Sequence, residues 1–182
     1  MDDYPAQLAP EFENNGAVKT PFEEWWPRVR HAYPNVPEGV ARDWLYRHWG
    51  HSPYRHIRSR DYRFTLASWP ARDLWSIRSG WCEFEPSNQK CFEQGEFQAK
   101  RTGALSNKLA AYILANGDFP VPIIVLDNRD RHMCEENVDA PYKALPEGYV
   151  LMEGHCRFNL GLYFESQGKL RPTVNIWIMA QC

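Results

Sequence analysis

No stretch of this 182-residue chain is apolar for long enough to cross a bilayer. The run LAAYILA at 109–115 spans seven residues and VPIIVL at 121–126 six, against the roughly 20 that a spanning helix needs. The first residues, MDDYPAQLAPEFENNG, are acidic and lack an apolar core, so no signal peptide is expected. Cysteine is sparse, with five residues (Cys82, Cys91, Cys134, Cys156 and Cys182) at irregular spacing. An odd count in a chain of this size does not read as a disulfide framework, and the expected compartment is a reducing cytoplasm. An excess of one charge is lacking too: 21 basic side chains face 23 acidic ones, for a net charge of −2. The chain as a whole therefore exerts no general attraction for nucleic acid. Neither internal repeats nor low-complexity tracts are visible.

What is present is an ordinary globular composition, 43% hydrophobic and 24% charged, long enough to bury a full core without staples. Eight Trp stand out, seven of them at or before Trp81. At positions 25, 26, 44, 49, 69, 75 and 81 they fit a helical core better than a base-stacking platform. A surface built to meet a protein partner is the other use of such an aromatic region. One basic stretch, His51 to Arg63, holds four Arg and two His against one Asp. It reads as a solvated face or as a patch that touches phosphates.

The organisation expected is an irregular lead-in at 1–19, an aromatic-rich helical subdomain at 20–60 and an α/β domain at 61–182. Thr20-Pro21-Phe22-Glu23 has the form of a capped helix start, with Pro27 limiting or kinking the helix. Val40, Ala41, Trp44, Leu45, His48 and Trp49 recur at helical spacing and predict a helix over 37–49 that Gly50 stops. Tyr62, Phe64 and Leu66 alternate like a strand, Leu74 to Ile77 suggests a short one, and 81–102 reads as a long loop. Beyond Gly103 the pattern sharpens into a helix over 104–116, a buried strand at 121–126, a polar excursion at 127–147, a strand at 149–152, a helix to about 167 and a strand at 174–179. That order is α/β.

The densest chemistry lies in YVLMEGHCRFNLGLYF, residues 149–164. A buried strand feeds straight into Glu153-Gly154-His155-Cys156-Arg157, where a helix begins. A helix start presents unpaired backbone N–H groups and a partial positive charge, the groups that hold phosphate. Gly154 lets an anion approach the backbone closely. Arg157 can add a two-pronged contact, His155 a donor or an acid–base group, and Glu153 a carboxylate that positions a metal ion or activates a hydroxyl. Cys156 is either a reactive thiol at the helix start or a small filler. A tight turn braced by a Glu153–Arg157 ion pair, binding nothing, accounts for the same residues.

The combination of LAAYILANGDFPVPIIVL (109–126), YVLMEGHCR (149–157) and the VNIWIM strand resembles the ParB/sulfiredoxin superfamily over roughly residues 105–179. The resemblance implies a small mixed α/β domain, extending over about 73–182, in which a Gly-x-x-Arg turn holds a nucleotide phosphate. That implies Gly154 and Arg157 as phosphate contacts, His155 and Cys156 beside them, and Glu153 and His155 as catalytic groups. It also implies a basic residue before the preceding helix, Arg101, facing the nucleotide. The ligand implied is ATP or CTP, with Mg²⁺ and with nothing held permanently; the implied activities are nucleotide hydrolysis, phosphoryl transfer or switching, with DNA binding or cleavage as an alternative. The turn departs from sulfiredoxins, because His155 stands where their nucleophilic Cys follows the Gly. It departs from partition proteins, whose turn carries Glu-Arg-Arg and which continue into a helix-turn-helix, whereas this sequence stops at Cys182. No dedicated metal site is expected: His48, His51 and His56, the group His132, Cys134, Glu135 and Glu136, and the pair Cys82 and Cys91 match no strong ligand spacing.

Overall fold

The structure is a computed structural model that describes residues 5–50, 61–101, 108–133 and 145–182. The chain divides into two compact units. One comprises Met1–Phe64, Val138–Lys143 and Ala180–Cys182, the other Thr65–Asn137 and Ala144–Met179.

In the first unit, α1 (Phe22–Val29) carries Pro27 inside it and ends two residues later. The expected capping box does not form. Pro21 occupies the cap position without a side-chain bond, and the Thr20 hydroxyl instead accepts the Glu11 N–H at 2.9 Å. The helix expected over 37–49 begins as the single turn α2 (Glu38–Val40) and widens into a π-helical stretch, Ala41–Tyr46. Its apolar face is the one read from the spacing: Val40, Ala41, Trp44, Leu45 and Trp49 are buried. Trp25 is fully enclosed, meets Trp49 edge-on at 5.5 Å and donates its indole N–H to the Leu8 carbonyl at 2.8 Å. These Trp residues form core, as large apolar surfaces with one satisfied polar atom do.

The α/β layer falls mostly in the second unit. The five-stranded mixed sheet has the order β1-β5-β3-β4-β2, with β1 Tyr62–Pro70, β2 Ile77–Ser79, β3 Ile123–Asn128, β4 Gly148–Glu153 and β5 Thr173–Gln181. β3 runs parallel to β5 and antiparallel to β4, and β2 runs parallel to β4. The succession α4 (Lys108–Asn116), β3, β4, α5 (His155–Ser166), β5 is the order read from the sequence, and the fold is α/β. Two local readings are corrected. Ala71–Ser76, expected to enter a strand, is a 3-10 helix. Much of the expected loop at 81–102 is a helix, α3 (Gln89–Arg101).

α3 escaped the pattern because its buried stripe is small: Cys91, Gly95 and Ala99 face inward at four-residue spacing. Small residues let α3 press against α5. A Cβ on Gly95 would fall 1.9 Å from the Asn159 carbonyl oxygen. α5 in turn is buried over most of its length, with Phe158, Leu160, Gly161, Leu162 and Phe164 all buried. It is the central element, sheet below and α3 above, and its N-terminus is where β4 delivers the chain.

Cys82 and Cys91 form a disulfide, Cα to Cα 6.0 Å. The odd count and irregular spacing did not point to this pair. The closed loop is short, so the cross-link contributes about 2–3 kcal/mol, mainly by restricting the unfolded chain. Among the described residues no helix is long and apolar enough to cross a membrane.

Candidate functional site

β4 ends at Glu153 and α5 begins at His155. Gly154 between them has φ +101° and no side-chain cap is supplied. That backbone conformation belongs to glycine, and the space does too: a Cβ there would lie 2.6 Å from Ile123 Cγ2. The turn is thus fixed twice, by backbone and by packing. The first intrahelical bond runs from the Phe158 N–H to the Gly154 carbonyl at 2.8 Å, so the N–H groups of His155, Cys156 and Arg157 precede the helical ladder.

Arg157 is 7% exposed. Its Nη1 donates to the Val121 carbonyl at 3.0 Å and its Nη2 to Glu153 Oε1 at 3.3 Å. Nε and Nη2 both come within 3.1 Å of the point where a Gly154 Cβ would sit. The guanidinium therefore braces the turn from beneath and ties the end of β4 to the segment before β3, while its charge stays beside Gly154.

His155 is 8% exposed. Its Nδ1 lies 3.3 Å from the Ser79 hydroxyl, and its ring stacks on Trp81, 4.5 Å between centres and 8° between planes. Trp81 itself is 66% exposed. Ser79 and Trp81 were not legible as site residues. They lie more than seventy positions upstream and arrive here because β2 pairs with β4 so that Ser79 is level with Leu151. Only the Ser-Gly-Trp sequence after a short apolar segment marks them. Cys156 is exposed and meets Gln98 Nε2 at 4.0 Å.

The turn thus brings Glu153, Gly154, His155, Cys156 and Arg157 together. Arg101 is the last residue of α3, and its side chain lies outside the described residues, as do Cys134, Glu135, Glu136, His51, His56 and most of the basic stretch. His132 pairs with Asp130 instead. Among the described residues no group of three or more His, Cys, Asp or Glu side chains could hold a metal ion. The carboxylate that the described chain places at the turn is Glu153, shared with Arg157.

A second polar cluster closes the opposite end of β3 and β4. Arg129 grips Asp127 with two bonds, 2.8 and 2.6 Å, and lies over the Tyr149 ring at 4.9 Å. Tyr149 meets Trp69 edge-on at 4.8 Å. Arg129 holds the Asp127 carboxyl below the usual carboxylate range. Burial, then the nearby Asp127 charge, push the Tyr149 hydroxyl up.

Comparison of the chain with protein-family models, with curated proteins and with solved structures returns no match.

Proposed function

We propose that this chain is a ParB/sulfiredoxin-like protein of the cytoplasm that binds the phosphates of a nucleotide, ATP or CTP with Mg²⁺, at the Gly154–Arg157 turn, and that it acts as a nucleotide hydrolase, phosphotransferase or nucleotide switch. The observation that carries this reading is the junction itself: a buried strand ending on a glycine at φ +101° that caps a helix with no side chain of its own. Such a helix start offers backbone donors and a favourable dipole to an anion. The guanidinium beneath Gly154 adds positive charge beside the turn.

Phosphoryl chemistry asks a protein for positioning and charge neutralisation above all. In this site the first-turn N–H groups position the phosphate. Arg157 stiffens the turn and offsets charge. His155, set between Ser79 and Trp81, is the acid–base candidate, and Glu153 the carboxylate that meets Mg²⁺ or a hydroxyl. Mg²⁺, when bound, supplies neutralisation of the transferring phosphoryl group.

A thermal-shift screen against ATP, ADP, CTP, GTP and short DNA, each with and without Mg²⁺, tests the reading. A ligand that binds only the folded chain raises Tm by mass action. A Tm rise with one nucleotide is expected. A rise with DNA alone, falling steeply with salt, replaces this reading with a nucleic-acid module; silence with every ligand leaves the turn a structural one and moves attention to protein partners.

A further inference from the structure

Next to the turn lies a feature that phosphate binding does not use. Cys82 and Cys91 are 3% and 0% exposed, and their bond closes the loop 83–90, which begins with the segment Glu83 to Asn88. That segment contains three non-glycine residues in the left-handed region, Glu83 (φ 54°), Phe84 (φ 55°) and Asn88 (φ 54°). Such a backbone is unfavourable for L-residues and persists only where its surroundings impose it. The Phe84 N–H bonds the Ser79 carbonyl and the Glu85 N–H the Cys82 carbonyl, both at 2.9 Å. The Lys90–Glu83 ion pair across it is solvent-exposed on both sides and so contributes little. Trp81, the residue before Cys82, lies two-thirds in water and rests against His155.

The geometry points to a redox site: Cys82 and Cys91 form a reversible disulfide whose state sets whether Trp81 stays on His155. A dithiol is the reaction partner. Its thiolate attacks one sulfur and breaks the Cys82–Cys91 bond to give a mixed disulfide. Its second thiol then displaces the remaining cysteine. Two electrons and two protons pass to the protein, leaving two thiols, and the dithiol departs as its own disulfide. Because both sulfurs are shielded, exchange waits on opening of the 83–88 segment, which its left-handed residues favour. With the cross-link gone, Glu83 and Phe84 relax and Trp81 loses the anchor beside it. In a reducing compartment, disulfides are in general transient and redox-responsive rather than structural, which reconciles the bond with the compartment expected from the sequence. The redox site stands on its own geometry; its effect on ligand binding rests on the phosphate reading above.

The test uses the full chain, oxidised and after dithiothreitol, with cysteine alkylation read peptide by peptide and the His155 ring signals read by NMR. Trp81→Leu in both states defines the unstacked position. Before reduction the peptides of Cys82 and Cys91 stay unlabelled while exposed Cys156 and Cys182 react. After it both carry label, far-UV circular dichroism is retained, and the His155 signals move to those of Trp81→Leu, which itself ignores redox state. Labelling of Cys82 and Cys91 without reductant, unmoved His155 signals, or loss of the fold on reduction each overturns the proposal. Pyrophosphate titrated in parallel should change affinity about two- to tenfold between states, the range of one aromatic pair. Absence of pyrophosphate binding in both states removes the phosphate reading and leaves the redox site to be decided by label and NMR.

Discussion

The guanidinium of Arg157 sits directly beneath Gly154, 3.1 Å from the place a Cβ would take, and holds Glu153 and the Val121 carbonyl at the same time. Removing it strands a largely buried carboxylate and a carbonyl. Arg157→Ala is therefore expected to cost about 3–5 kcal/mol of stability, read as a lower urea midpoint at unchanged slope. Arg157→Lys keeps the charge but loses the fork and should fall between. A wild-type midpoint for Arg157→Ala would show that the brace carries no weight.

Gly154→Ala meets two penalties, a left-handed backbone and the Ile123 methyl at 2.6 Å. About 2–4 kcal/mol is expected from the two together. Gly168, also left-handed at φ +63° but with nothing within 4 Å, is the control, and Ala there should cost only about 1–2 kcal/mol. Equal losses at the two positions would contradict the close packing at the turn.

Gly95→Ala separates packing from propensity. Ala is the better helix former by about 1 kcal/mol, yet its methyl would meet the Asn159 carbonyl at 1.9 Å. The α3–α5 contact must open, and a net loss of about 1–3 kcal/mol is expected. A stabilised Gly95→Ala protein would mean that the two helices do not cross here.

The Asp127–Arg129–Tyr149 cluster predicts pH dependence at both ends. The Asp127 carboxyl is lowered by Arg129, so its contribution is present above the ordinary aspartate range and is lost as pH falls through the lowered folded value. Tyr149 is raised, chiefly by burial. Above the ordinary tyrosine range the unfolded chain ionises first, and stability falls as pH rises. Denaturation midpoints against pH should show Asp127→Asn with a flatter acid limb and Tyr149→Phe with a flatter alkaline one. Limbs identical to wild type would contradict the pairing.

The elements readable from the sequence were those with large apolar side chains at a clear period. β3 and β4 announce themselves as short continuous apolar runs, and the helix at 155–166 through Gly154 before it and Gly168 after it. The face of the 38–46 helical segment was legible through Val40, Trp44 and Leu45. α3 was not, because Cys91, Gly95 and Ala99 carry its buried stripe and polar residues fill the rest. Tyr62 and Phe64 alternate inward as expected, but Leu66 on the same strand is exposed. At the site, contiguity made Glu153 to Arg157 visible. Ser79 and Trp81 were hidden because strand pairing, not local sequence, delivers them to His155.

The central claim is that the first-turn N–H groups of α5 receive phosphate, and an amide NMR titration of ¹⁵N-labelled protein with ATP or CTP and Mg²⁺ addresses it most directly. The account predicts saturable shifts centred on the amides of His155, Cys156 and Arg157, lost in Gly154→Ala under conditions where that variant remains folded. Saturable binding that leaves those three amides unmoved, or no binding of either nucleotide, would contradict it.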